Sequence, residues 1–170
     1  MDFSELCRRR FSARSYNNKS VEREKLDAVL EAGRLAPTAA NNQPQKIIVV
    51  MNELDKLGEA ANIYGAPLAL IICADKKAAW ERPFDGKNTA DIDASIVTDH
   101  MMLAAAVLGL DSVWICYFKP DVLRQEFALP DGLEPINILA IGYAGEPAAS
   151  PDRHSRTRIP LVELVSHESL

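Results

Sequence analysis

Apolar residues follow two kinds of pattern along this chain. Four short runs are nearly continuous: Ile47-Ile48-Val49-Val50-Met51, Pro67 to Cys73, Ser112 to Tyr117 and Ile136 to Ile141. The first is β-branched and continuous and predicts a buried strand, Pro67 to Cys73 reads as another, and the last two read as strands as well. Elsewhere the apolar positions recur at helical spacing. Phe3, Leu6 and Cys7 share one side of a short helix over residues 2–9. Leu26, Val29, Leu30 and Gly33 predict a helix over 21–35, with Ser20 as N-cap, Glu22 and Glu24 in its first turn, and Pro37 ending it. Residues 53–62 and 121–128 read as further helices. Asp91 to Leu110 is the longest periodic stretch, apolar on several sides through Ile92, Ile96, Val97, Met101, Leu103, Ala104, Val107 and Leu108. That predicts a central, buried helix, with Gly109 as its stop signal. Pro37 to Pro44 has loop chemistry, and Trp80 to Asn88, holding Pro83, Asp85 and Gly86, reads as a long excursion. Beyond Gly142 the chain becomes rich in Pro, Ser and Arg, then apolar again from Ile159 to Val165. A tail that leaves polar and ends apolar has to pack on something, either a partner subunit or its own sheet.

Composition narrows the class. The 170 residues are 48% hydrophobic and 25% charged, which suits one globular domain over 1–170 and excludes a disordered, collagenous or coiled-coil chain. The net charge of −5 argues against nucleic acid or an anionic membrane as partner. No apolar run is long enough to span a bilayer. Met1-Asp2-Phe3-Ser4-Glu5 lacks the basic and apolar regions of a signal peptide, so a cytoplasmic location is expected. Cys7, Cys73 and Cys116 are odd in number and widely spaced, as free thiols of a reduced compartment are. Cys73 and Cys116 lie in apolar runs and are expected to act as small hydrophobes. His100, His154 and His167 are scattered, and no metal site is expected.

Positive charge sits in two windows. Seven of the eleven arginines are Arg8, Arg9, Arg10 and Arg14 near the start and Arg153, Arg156 and Arg158 near the end. In an acidic protein, guanidinium forks gathered at both ends suit an anion, with Ser12 between Arg10 and Arg14 offering a hydroxyl. Taken singly, each of these arginines is an ordinary solvated charge. There is no GxGxxG after the first strand, no phosphate-binding loop with Lys-Ser/Thr, and no GxSxG turn. Asp91 and Asp93 stand two apart, on different faces of a helix, and are not expected to act as an acid–base pair. No side-chain set is expected to be catalytic alone, which points to borrowed cofactor chemistry.

Four segments, in order, resemble the FMN-dependent nitroreductase family, and its short branch in particular. Arg10-Phe11-Ser12-Ala13-Arg14-Ser15-Tyr16 is similar to the family's R-x-S-x-R-x-[FY] opening. Ala36-Pro37-Thr38-Ala39-Ala40-Asn41-Asn42-Gln43-Pro44 is similar to its A-P-[ST]-x-x-N-x-Q-P loop. Met102 to Cys116, ending Leu108-Gly109-Leu110-Asp111-Ser112-Val113-Trp114-Ile115-Cys116, resembles its L-G-L-x-x-x-W-I element. Ile141-Gly142-Tyr143 with Arg156-Thr157-Arg158-Ile159-Pro160-Leu161 resembles its G-Y and R-x-P-L ending. The resemblance implies an α+β fold, a mixed central sheet flanked by helices, in an intertwined homodimer with flavin at the subunit interface. It implies FMN as cofactor and NADH or NADPH as co-substrate, with hydride moving through flavin N5 to a nitroaromatic- or quinone-type acceptor in a ping-pong sequence. Arg10, Ser12, Arg14, Arg156 and Arg158 would hold the phosphate. Pro37, Thr38, Ala39 and Asn41 would lie against the ring from the other subunit, with Trp114 and Ile115 near the flavin.

Some positions depart from the family pattern. Phe11 replaces a basic or polar residue, so only its main chain is expected to serve. Gln45 replaces a common Trp. Lys87 reads either as a solvated lysine or as a contact to flavin or substrate. Trp114 and His100 also have structural readings, in the core and on the long helix. Two alternatives remain at this level: a non-catalytic flavin carrier or redox sensor, and the flavin-fragmenting and dehalogenating branches of the same fold.

Overall fold

The computed structural model describes residues 2–169. Its helices are α1 (Phe3–Arg9), α2 (Arg23–Leu35), α3 (Ala90–Val107), α4 (Pro120–Glu126), α5 (His154–Thr157) and α6 (Leu161–Leu164). Its strands are β1 (Gln45–Val50), β2 (Leu68–Asp75), β3 (Asp111–Ile115) and β4 (Leu133–Gly142), in the sheet order β1-β2-β4-β3. Every neighbouring strand pair is antiparallel, and the parallel component is a single bridge from Ser12 to Ser112. The expected α+β architecture is therefore present.

β2 is buried on both faces, so its apolar run is unbroken instead of alternating. Leu68, Leu70, Ile72 and Ala74 face α2 and α3, together with Leu139 and Ile141 of β4. Ala69, Ile71 and Cys73 pack on the other face with Leu57, Leu123 and Ile138. α3 buries Ala94, Val97, Met101 and Ala105 against the first layer. Thr98 on α3 and Asn137 on β4, both buried, hydrogen-bond at 3.0 Å and pin the helix over the sheet. Gly109 has φ +72 and ends the α3 turn, as its type suggested.

Several sequence expectations shift. Residues 53–62 form only a 3-10 turn at Leu54–Leu57. Beyond it the Asn62 side chain takes the Tyr64 N–H at 2.8 Å, and Tyr64 and Gly65 turn left-handed. Leu57, Ala60 and Ala61 are still buried, so the apolar spacing reported burial without a helix. Ser20 is not a cap, because α2 starts after Glu22, whose carboxylate is engaged by the Tyr143 hydroxyl and Lys19. β3 stops at Ile115, leaving Cys116 exposed instead of packed. Cys73 is buried, and burial pushes its thiol up to about 11. The tail does not fold back on the sheet: Ile159, Leu161, Val162, Leu164 and Val165 are all exposed. No described helix is long and apolar enough to cross a membrane.

Gly142 closes β4 where the N-terminal arm lies over it. A Cβ there would stand 2.6 Å from Pro67 Cδ and 2.9 Å from Tyr16 Cδ1, both on rings with little freedom. Gly142→Ala is expected to lower stability by about 1–3 kcal/mol through overpacking. Gly33→Ala, whose Cβ would meet Cγ and Sδ of the unbranched Met101 side chain at 2.9 Å, is expected to cost less, since helix propensity offsets part of the crowding. Urea melts of equal slope would check the contrast, and equal midpoints for the two variants would refute it.

Candidate functional site

The N-terminal arm is laced to one end of the sheet. Ala13 N–H donates to Ser112 O at 3.1 Å, Asn17 N–H to Tyr143 O at 2.9 Å, and the Tyr16 hydroxyl to Ala140 O at 3.2 Å. Arg14 N–H donates to a carboxylate oxygen of Glu146 at 2.8 Å. These bonds settle the arm's backbone and leave its arginine side chains for other partners.

The C-terminal segment docks on the same place. The Arg153 guanidinium donates to Arg8 O at 3.1 Å, to Ser150 O at 3.0 Å and to Arg10 O at 2.6 Å. The Arg8 and Arg10 carbonyls lie at the C-terminal end of α1, where a helix favours a cation. Arg153 is thus a cross-brace, and it brings Arg158 round to face Arg10. The result is a cavity of about 360 Å³ lined by Arg10, Phe11, Ser12, Arg14, Arg153 and Arg158, with Ala149, His154 and Thr157. None of these four arginines forms an ion pair among the described residues. Burial, with the facing charges of Arg153 and Arg158, holds the Arg10 guanidinium below arginine's ordinary value, while Asp99 opposes this. Guanidinium groups gathered without a paired carboxylate have the chemistry that suits an anion.

The structure thus brings Arg10, Phe11, Ser12, Arg14 and Arg158 together. Arg156 is exposed and is not part of this cavity wall. Arg153, which the motif comparison left without a role, takes a central place. Trp114 is half-buried and lines a groove of about 590 Å³ with Asp91, Ile92, Ser95, Ile96 and Asp99 of α3. Its indole Nε1–H is buried and has no partner. Ile115 is buried at the end of β3.

Pro37, Thr38, Ala39 and Asn41 form a second group, ahead of β1. Three residues of this loop have left-handed backbone: Ala40 at φ +50, Asn41 at φ +56 and Gln43 at φ +50. The Thr38 hydroxyl accepts the Gln43 N–H at 3.1 Å, so it braces its own loop. Ala39 N–H donates to Asp93 Oδ1 at 2.8 Å. The Asn41 side-chain amide is exposed and makes no hydrogen bond among the described residues. The loop leads into β1 and the arm that carries Arg10 and Arg14 bridges to β3, and these two edge strands stand three strand spacings or roughly 14 Å apart. Asp93 is a residue that sequence reasoning did not assign. Its signal was available: it shares an α3 stripe with Val97 and Met101, both fully buried, so a carboxylate there needed an internal partner. Left-handed alanine is strained, so Ala40→Gly is expected to raise stability by about 1 kcal/mol. A denaturation midpoint that falls instead would show the backbone there to be relaxed.

Comparison with known proteins places this geometry. The sequence model described as the Nitroreductase family matches residues 7–62 and 54–143. A Bacillus subtilis protein named FMN reductase [NAD(P)H] is 31% identical, over 92% of this chain and 74% of its own length. The crystal structure of a nitroreductase family protein from Clostridium difficile 630 superposes with a TM-score of 0.98 at 57% identity, covering 100% of both chains. An FMN-dependent nitroreductase from Clostridium difficile R20291 gives 0.81 at 28% identity, covering 97% of this chain and 98% of that one. Arginine cavity, strained loop and antiparallel sheet are thus features of a chain that belongs to the nitroreductase family.

Proposed function

We propose that this protein is an FMN-dependent NAD(P)H oxidoreductase acting on a nitroaromatic- or quinone-type acceptor, as a homodimer with the flavin at the subunit interface. The observation that carries this reading is the cavity of unpaired guanidinium groups beside the Ser12 hydroxyl, which fits a phosphate dianion. The chemistry FMN supplies when bound is two-electron transfer at N5, from NAD(P)H in one half-reaction and to the organic acceptor in the next.

The chain's own residues bind, orient and shield. Arg10, Arg14 and Arg158, which carry no ion pair among the described residues, are the forks for phosphate oxygens, and Ser12 adds a hydroxyl donor. Arg153 holds the wall that carries Arg158, through its three carbonyl contacts. Main-chain groups at the end of β3, at Trp114 and Ile115, lie on an open sheet edge and can face a planar ring. Asn41 offers a free amide for the polar edge of that ring. No side chain is assigned the hydride step, and solvent can supply the protons.

The homodimer is supported by two features. The apolar tail is exposed in a single chain. The phosphate cavity and the Pro37–Pro44 loop stand at opposite sheet edges, so two copies could combine one half-site from each.

The testing experiment is an FMN titration followed by absorbance. The expected result is a bound flavin with a band near ~450 nm, bleached by NAD(P)H and restored by a quinone or nitro compound. Flavin that binds but is reduced by neither nicotinamide would replace this reading with a carrier or sensor. Arg10→Ala and Arg158→Ala are each expected to weaken FMN binding about 10- to 100-fold, while Arg156→Ala changes it less than about threefold. Equal losses at all three positions would refute the assignment. A Leu161→Glu/Leu164→Glu double variant is expected to shift the protein to monomer by light scattering, with loss of FMN. A dimer that survives the double change would remove the tail from the interface.

A further inference from the structure

Asp93 is 1% exposed, a carboxylate set into an otherwise apolar helix face. A buried charge of this kind needs several donors. It has two, and they come from different segments. Oδ1 accepts the Ala39 N–H at 2.8 Å. Oδ2 lies 3.1 Å from the Thr89 hydroxyl. Thr89 is the N-cap of α3, yet its side chain makes no capping bond to that helix. Its oxygen is also 3.0 Å from Trp80 O, and its one proton is shared between carboxylate and carbonyl. Thr89 N–H donates to Trp80 O at 2.9 Å, and an antiparallel bridge joins Glu81 to Asn88, so residues 80–89 form a hairpin closed at Thr89. Phe84 at its tip is 92% exposed.

The loop on the other side needs an external hold. Ala39 directly precedes the left-handed residues Ala40 and Asn41. Asp93 provides the only side-chain bond from another element to a main-chain group of residues 37–44 among the described residues. Asn42 adds a second tie, donating to Ala78 O at 3.1 Å, just ahead of the hairpin. The carboxylate also sits in the first turn of an 18-residue helix, where the helix dipole favours its charge.

We propose that Asp93 is a positioning residue: one buried carboxylate clips the 37–44 loop to α3 and to the 80–89 hairpin, and so aims Asn41 at the cofactor ring. The aim toward the ring rests on the flavin reading above, whereas the clip itself does not. Coupling runs both ways. A ligand that orders the loop draws on the same carboxylate that holds Thr89, the residue that closes the hairpin, so the two segments gain protection together.

The test compares Asp93→Ala, Asp93→Asn and Thr98→Val, the last removing a buried α3 hydroxyl that touches neither segment. Amide hydrogen exchange is measured on the protein with and without added FMN, alongside the FMN dissociation constant and the position of its absorbance band. Asp93→Ala is expected to speed exchange about tenfold in peptides covering both 37–44 and 80–89, leaving β2 and β4 unchanged. It should also weaken FMN about tenfold and move the bound band. Asp93→Asn should return exchange and affinity to within about threefold of the parent, since the amide oxygen still accepts from Ala39. Thr98→Val should lower the melting temperature with no selective change in either segment. Unchanged exchange at 37–44 in Asp93→Ala would overturn the clip. Faster exchange throughout the sheet, matching Thr98→Val, would reduce Asp93 to a folding residue and overturn it too. A parent protein that binds no FMN would overturn the flavin reading, while the exchange pattern would still decide the clip.

Discussion

Burial of α3 against the central β2–β4 pair is the contact from which the rest of the site hangs. Ala94, Val97, Met101 and Ala105 are inaccessible, and each large side chain among them contributes about 1.5–3 kcal/mol to holding the helix there. With that helix immobile, Asp93 has a firm base from which to hold the loop. Asp99 stands at a set place opposite Arg10, and the groove beside Trp114 has a rigid floor. The buried Thr98–Asn137 bond sets the helix along the sheet as well as above it.

The arginine cavity illustrates a second constraint. Burial first, and the facing like charges of Arg153 and Arg158 second, lower the proton affinity of Arg10. Carboxylates would relieve the repulsion but would also fill the site. The chain instead holds the segment with neutral carbonyl acceptors at the end of α1, which bind Arg153 and leave Arg10, Arg14 and Arg158 unpaired. On the proposed function, a phosphate dianion would meet guanidinium groups that have no competing carboxylate to leave.

The loop of left-handed residues complements this. Three non-glycine residues at positive φ are a cost that persists only where surroundings over-determine the backbone. Thr38 from within and Asp93 from without supply that determination. The strain and its restraint leave the Asn41 amide exposed and unspent, at a sheet edge remote from the arginines.

Much of this was legible along the chain, because strand runs, helical spacing and motif order are local properties. Ile47 to Met51, Pro67 to Cys73, the long helix before Gly109 and the two arginine windows needed only residue types and their intervals. Tertiary structure decided what intervals cannot encode. The spacing of Leu57, Ala60 and Ala61 reported burial, yet the Asn62 side chain and a left-handed Tyr64 turned the segment away from helix. Arg153 and Arg156 are alike in sequence, and only the docking of the tail on α1 separates a brace from a solvated charge. The pairing of Asp93 with Ala39, 54 positions apart, exists only because α3 packs where the loop begins. The physical reason is the same in each case: residue type and period act over a turn or two of chain, while charge placement and hydrogen-bond partnership depend on which surfaces the core brings together.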